Sequence, residues 1–563
     1  MERFKEQIRS ALCIAVGQEV DIGLLEIPPD TKLGDLAFPC FHLAKALKKS
    51  PAEIAKTIAL KLQPPGFIAE VRPEGAYVNF RIKPQELAKA TLQTIEQRKE
   101  KYGSSEAGTK KTILVEFSSP NIAKPFGIAH LRSTVIGNAL REIFHFQGYH
   151  VLGLNHLGDW GTQFGALLVA YNEWGDEKEL EREGIWHLLS IYMKFCEESK
   201  IRPELKDEAR EWFKRLEQGE SKAVELWEMF RELSLSEFHR YYAQLNISFD
   251  SYHGEAFYRD KLADTIELVK SKTKTEMSEG ALIVDLKRHN MPPVILLKTN
   301  ETSTYHTRDL AAAIYRMKEY KPVKIVYVVD ARQCLHFQQL FKTLELCKLS
   351  KGVEFVHVDF GKMTFEGKVM STREGNFILL EEVLDKATEL AHKIIDEKNP
   401  DLHNKDSIAS QVGIGAIIFA DLVNDRVRDV DFSWDRALSF EGDTGPYVQY
   451  AHARICAILR KYSRPLPQKY DPALFKTEVE SELIKKLAEF PPTVESAARH
   501  LRPSIIARYL IELAQVFNAF YTRCPVLSEA EELRDARIVL CDAARQTLHN
   551  GLLLLGLHAP QEM

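Results

Sequence analysis

The sequence has no apolar run long enough to cross a bilayer, no Cys-x-x-Cys pair, no internal repeat and no low-complexity tract. The first absence excludes a membrane-spanning helix. Eight cysteines are scattered without paired spacing, which excludes a disulfide framework and a cysteine-based zinc site and fits a reducing, cytoplasmic compartment. Nor is there a secretory core at the start: residues 1–20 mix Glu2, Lys5, Glu6 and Arg9 in a helical pattern, and the acidic residues argue against a transit peptide. A large excess of one charge is also missing. The net charge is −5, so a polyanionic partner has to be met by local patches.

What is present is a globular composition, 45% hydrophobic and 28% charged, over 563 residues, enough for several domains. The chain is organised around residues 115–161. An apolar, β-branched run over 112–117 predicts a buried strand. The cluster Ser118-Ser119-Pro120-Asn121 predicts a turn, followed by a loop with Lys124, Pro125 and Gly127. Leu131, Val135, Ala139 and Ile143 recur at helical spacing in a helix over 130–146, and a second strand follows over 150–154. This is a βαβ unit whose helix start offers free N–H groups and a positive dipole end to phosphate, with Lys124 and His130 at the mouth.

Around it the pattern predicts a small α+β unit (1–105), the first half of a parallel sheet (106–170), a mainly helical insertion (171–290), the second half of the sheet (291–385), a helical stem (386–435) and a helical bundle (436–563). In the first unit, 34–39 reads as a turn into a helix running to Ser50, and 69–82 as a strand pair. Strand signals return at 247–250, 281–286 and 294–297. A helix over 307–318, a strand over 323–329, a helix over 335–347 and a strand over 354–360 then restore the α/β rhythm. The fold class is therefore α/β plus all-α, with a doubly wound parallel sheet that binds its ligand at the carboxyl ends of the strands.

Several polar groups fall at that edge. Glu116, Ser119 and Asn121 close the first strand, where a carboxylate suits an ammonium group, although taken alone these residues read better as a cap at the sheet edge. In Tyr305-His-Thr-Arg-Asp309 the first and last residues share a helix face and can point together into one pocket, a combination suited to a cationic side chain. A plain helix-start aspartate fits the spacing too. Gln333 follows a strand and opens a helix. The loop Lys368-Val-Met370-Ser371-Thr372-Arg373 is short and basic enough to cover a triphosphate or simply to be a solvated loop. Arg454, Arg460, Lys461, Arg464 and Lys469 lie in a run, 451–470, without an acidic residue; it suits a nucleic-acid backbone or a solvated helix face.

The runs VEFSSPNIAKPFGIAHLRST, YHTRD, DARQCLHF and VMSTREGN resemble the arginyl-tRNA synthetases, a class I aminoacyl-tRNA synthetase family. GDLAFPCFHLAKAL is similar to the N-terminal domain of that family, and YVQYAHARICAILRK with DAAR (Asp542–Arg545) to its helical anticodon-binding domain. The resemblance implies a Rossmann-type catalytic domain in a cytoplasmic monomer. It implies ATP-dependent attachment of L-arginine to tRNA(Arg) through an arginyl-adenylate, with Mg2+ carried by the nucleotide and no protein metal site. Carried over by motif, Ser119 and Asn121 contact the arginine backbone groups, with Glu116 and Gln333 near its ammonium and carboxylate. Tyr305, Asp309 and, in Tyr252-His-Gly-Glu255, Glu255 line the guanidinium pocket; two carboxylates match its planar fork. Lys124, Gly127, Ala129, His130, Met370 and Ser371 fall at ATP, and Lys124, His130, Lys368 and Arg373 at its phosphates.

The chain departs from the family pattern in two places. Gly127 and Ala129 stand where the first signature has His and Gly, and Val369 and Thr372 stand where the second has lysines. Lys124 is the expected replacement for the missing phosphate contact, with Lys368 and Arg373 sharing it. A class I synthetase for another amino acid, and a tRNA-binding relative without an ATP site, remain as other readings of the residues.

Overall fold

Residues 112–116 set three apolar side chains, Ile113, Leu114 and Val115, between Thr112 and Glu116, and in the computed structural model they form an inner strand of a four-stranded parallel sheet. The structure describes residues 1–28, 30, 32–299, 302–365, 368–369 and 379–563. The sheet strands are β1 (Thr112–Glu116), β2 (His150–Leu154), β3 (Lys324–Asp330) and β4 (Glu354–Phe360), in the order β4-β3-β1-β2. Ile113–Val115 and Ile325–Val328 are buried, as strands covered on both faces require. Chain direction across the sheet reverses between β1 and β3. The crevice at their carboxyl ends, beyond Glu116 and Asp330, is where such sheets bind ligands.

Three helices frame that crevice: α1 (Leu131–Phe146) after β1, α2 (Tyr305–Tyr320) before β3, and α3 (Cys334–Leu346) after it. Leu310 of α2, Leu340 and Leu344 of α3, and Leu114, Leu154, Ile325 and Tyr327 of the sheet share one apolar cluster. Between the two halves of the sheet the chain is helical from Thr162 to Gln244 apart from short connections.

Residues 247–250 and 36–39 depart from the sequence expectation, while 281–284 and 294–297 are strands as it marks. Residues 247–250 form no strand; the Asp250 carboxylate instead accepts the Gly153 N–H at 2.7 Å, tying a loop to the end of β2. Ala281–Val284 and Val294–Leu297 are strands, but they join Thr275–Ser278 in a separate antiparallel sheet. Leu36–Pro39 is a strand rather than a turn into a helix. All four residues are buried and pair with Tyr77–Ile82, and Pro39 disfavours helix at the residue before it. Ser50 opens the helix Pro51–Lys61 with a full capping box to Glu53.

After β4, strand Met363–Phe365 pairs antiparallel with Lys368–Val369 and in parallel with Val430–Phe432. Helices Leu380–Lys398 and Lys405–Leu422 lie between these strands in sequence. The chain groups into two compact units. One comprises 103–453, 492–511 and 549–563 and holds the parallel sheet. The other comprises 1–102, 454–491 and 512–548, so the N-terminal module shares its body with helices from far along the chain. In that unit the Asp35 carboxylate accepts the Ile82 N–H at 2.8 Å and meets Lys485 Nζ at 2.9 Å, and the Tyr102 hydroxyl donates to the Leu487 carbonyl at 2.8 Å. Among the described residues no helix is long and apolar enough to cross a membrane.

Candidate active site

Where β1 ends, the backbone turns through residues that resist turning. Ser118 (φ 69°), Ser119 (φ 50°) and Ala123 (φ 58°) all occupy the left-handed region, at about 1–3 kcal/mol each for a residue with a Cβ. Hydrogen bonds hold them there. Ser133 Oγ, on α1, accepts the Ser118 N–H at 3.0 Å and donates to the Val328 carbonyl of β3 at 2.6 Å. Ser118 Oγ receives Thr134 Oγ1 at 2.9 Å and lies 2.8 Å from the Tyr242 hydroxyl. The Ala123 N–H donates to Ser234 Oγ at 2.8 Å, and the Gly158 N–H to the Pro120 carbonyl at 3.0 Å. A Cβ on Gly158 would stand 2.0 Å from Asn121 Oδ1, so a side chain there would push the Asn121 amide aside. The loop carrying Ser119 and exposed Asn121 is thus preset before any ligand arrives.

The loop runs into a 3-10 turn, Ile128–His130, that opens α1. His130 Nδ1 lies 3.3 Å from both the N and the O of Gly127, and its ring packs 5.0 Å from that of Phe126. Burial lowers its pKa to about 4; the Gly127 contact opposes the shift and the Lys124 charge adds to it. The imidazole is therefore neutral at pH 7. Lys124 Nζ sits 5.9 Å from the centre of the Tyr192 ring. Leu379 bridges to Gly127, and the Leu380 N–H donates to the Phe126 carbonyl at 3.0 Å, so residue 379 returns to the mouth of the turn. Met370, Ser371 and Arg373 lie outside the described residues, as do the side chains of Lys368 and Ala129.

Across the crevice, α2 and its neighbours gather carboxylates. Asp309 Oδ2 lies 2.6 Å from His336 Nε2, and Oδ1 3.8 Å from His156 Nε2. Burial pushes the Asp309 carboxyl up, but the His336 hydrogen bond and the charges around it hold it below the usual carboxylate range. Glu255 Oε2 lies 3.5 Å from Arg308 Nη1. Burial raises the Glu255 pKa to about 7, against the pull of Arg308 and His156 and with the push of Asp309. Arg308 also places its guanidinium 5.1 Å from the Tyr305 ring centre. Buried Arg308 Nε has no hydrogen-bond partner among the described residues, which marks the pocket as one a polar ligand can complete.

Two expectations change here. Glu116 is no open counter-charge for an ammonium group: it is buried and ion-paired with Arg316 of α2. Tyr305 does not turn into the pocket with Asp309; as the first residue of α2 it stands at the rim, 69% exposed. Gln333 is exposed at the start of α3. Four partners escaped the motif reading. Arg308 lay inside Tyr305–Asp309, Arg316 lies seven residues beyond Asp309 on the same helix face, and His336 lay in DARQCLHF; His156 carried no signal. The assembled pocket suits a guanidinium, and Arg308 already places one between Glu255 and Tyr305.

The family described as "tRNA synthetases class I (R), catalytic domain" matches residues 91–434. "Arginyl tRNA synthetase N terminal domain" matches 2–82, and "DALR anticodon binding domain" 448–563. Similar curated proteins include the arginine--tRNA ligases of Clostridioides difficile, 46% identical, and Alkaliphilus metalliredigens, 44% identical, each over the full length of both chains. Among solved structures, Thermus thermophilus arginyl-tRNA synthetase superposes with a TM-score of 0.84 at 28% identity, covering 99% of this chain and 100% of that one. The Plasmodium falciparum arginyl-tRNA synthetase gives the same TM-score at 22% identity, covering 100% and 99%, and shows the shared fold. With a catalytic-domain match over more than half its length and full-length relatives above 40% identity, the chain belongs to the class I arginyl-tRNA synthetase family.

Proposed function

We propose that this chain attaches L-arginine to tRNA(Arg) in two steps, using ATP. In the first, the arginine carboxylate attacks the α-phosphate, forming arginyl-adenylate and releasing pyrophosphate. In the second, a hydroxyl of the terminal tRNA ribose takes the arginyl group and AMP leaves. The observation that carries this reading is the placement of a two-carboxylate pocket, Glu255 and Asp309, in the same unit as a helix-start phosphate mouth.

In this reading Glu255 and Asp309 hold the guanidinium, and Ser119, Asn121 and Gln333 orient the backbone end of the amino acid. Glu116 acts through Arg316, as part of the pocket wall. His130 stays neutral and offers a ring hydrogen bond to the phosphate region, so cationic charge at the mouth comes from Lys124, with Lys368 and Arg373 as further contributors. Gly127, Ala129, Met370 and Ser371 remain candidates for the nucleotide. Mg2+ arrives with ATP and offsets charge on the departing pyrophosphate. The enzyme works as a cytoplasmic monomer, where its eight cysteines, all free, stay reduced.

The test is charging of purified tRNA with arginine, lysine or glutamine in the presence of ATP. Because unpaired buried carboxylates penalise a substrate lacking the fork, arginine is expected to exceed lysine by about 10^4-fold in kcat/KM. Robust lysine charging overturns the substrate assignment. Binding of tRNA without any charging favours a tRNA-binding relative instead.

A further inference from the structure

Arg132 stands two residues beyond His130, in the first turn of α1, and its side chain is almost wholly buried. Its Nε meets Asp421 Oδ1 at 2.7 Å. Nη1 donates to the carbonyls of Gly361 (2.7 Å), Arg428 (3.0 Å) and Lys362 (3.4 Å), and Nη2 to that of Arg426 (3.3 Å). Asp421 is itself buried, in the helix Lys405–Leu422. One guanidinium thus joins three stretches of chain to the helix that opens at His130.

The carbonyls belong to two segments that run side by side. Residues 361–362 leave β4 toward Met363–Phe365, and residues 426–428 lead into Val430–Phe432. Direct bonds zip the segments together: the Gly361 N–H donates to the Arg426 carbonyl and the Val430 N–H to the Lys362 carbonyl, each at 2.9 Å. A Cβ at Gly361 would stand 2.6 Å from the Arg428 carbonyl oxygen, so the segments touch. Arg426 closes the far side with its Nη1 2.6 Å from Asp359 Oδ1.

A buried ion pair is a poor device for stability alone, because well-packed apolar residues of the same volume do as well or better. A guanidinium differs in being planar and directional, with donors in a fixed fork. Sliding the strand pair past α1 by one residue would break every bond Arg132 makes. None of those bonds involves Glu255, Asp309 or Arg308.

We propose that Arg132, held by Asp421, is a positioning residue for the nucleotide half of the reaction: it sets the register of Met363–Phe365 and Val430–Phe432 against His130. The proposal rests on the synthetase reading above. Its test compares Arg132→Met, Arg132→Lys and Asp421→Asn with the parent in tRNA-supported, arginine-dependent pyrophosphate exchange, together with thermal unfolding. Arg132→Met is expected to lose about 100-fold in kcat/KM for ATP with KM for arginine within twofold. Arg132→Lys, which keeps the charge and loses the fork, is expected to recover no more than a tenth of the parent value. Asp421→Asn leaves the four carbonyl contacts and is expected to lose about tenfold, again through ATP. A folded Arg132→Met with the parent's kcat and KM for ATP overturns the proposal, as do equal losses toward ATP and arginine. If Arg132→Met does not fold, the same split in Asp421→Asn decides. A parent protein without arginine-dependent exchange defeats the synthetase reading; an active parent with unaffected variants defeats only this one.

Discussion

Glu255 is a carboxylic acid poised near neutrality, and its protonation has a defined sign. Its pKa is raised to about 7 by burial, with Arg308 and His156 opposing and Asp309 adding to the rise. A raised carboxyl favours the folded, empty protein below the ordinary carboxylate pKa, and that contribution is lost as pH climbs through about 7. Guanidinium binding needs the ionised form. Arginine binding at pH 7 is therefore expected to release about half a proton, and almost none at pH 8.5. Calorimetry in buffers of different ionisation enthalpy measures this. Glu255→Gln should abolish the release and weaken arginine binding roughly 10- to 100-fold. His130 has the opposite sign: its depressed pKa favours the fold above about 6.5 and opposes it as pH falls toward about 4. Asp309 and His130 could be singled out because each sits in a short local motif, and Glu255 only through the family resemblance. Arg316 on Glu116 and His336 on Asp309 were not, because folding brings them together from distant segments and spacing says nothing of such pairs.

Elements were legible where period and length agreed. Helix Glu2–Val16 and strands His150–Leu154 and Glu354–Phe360 span the residues their periodicity marks. Leu36–Pro39 was misread because its extended form comes from pairing with Tyr77–Ile82, a tertiary effect that outweighs local propensity. Residues 247–250 meet the edge strand His150–Leu154 only at their end, through Asp250 and the single bridge of Ser251 to Leu154, which is too short a pairing to make a strand. At this scale Ser133 is a second junction on α1: its one hydroxyl bridges the loop after β1 and the backbone of β3. Ser133→Ala strands the Ser118 N–H and the Val328 carbonyl, and is expected to lower stability by about 1–3 kcal/mol in denaturant unfolding. Because the freed loop lies between the two candidate ligand sites, KM should rise for ATP and arginine together, unlike the one-sided effect expected at Arg132.

For the molecule as a whole, the sequence pattern separated an N-terminal α+β module, a parallel-sheet domain and a C-terminal helical region, and the first shares a compact unit with residues 454–491 and 512–548 of the last. Nothing periodic announces that partnership; it depends on single contacts such as Asp35 with Lys485. Among the described residues, Lys485→Met leaves the buried Asp35 carboxylate the Ile82 N–H alone, and should cost about 1–3 kcal/mol in the unfolding of that unit. Adding Asp35→Asn should return part of the loss, which a double-mutant cycle reads directly. The Tyr102 hydroxyl reaches a carbonyl 385 residues downstream. At about 5–20 residues per second of synthesis, that acceptor leaves the ribosome roughly 20–80 s after its donor. For most of its own translation the first module waits with a bare face, and a message cut short before residue 454 releases a chain whose opening module has no means of covering it.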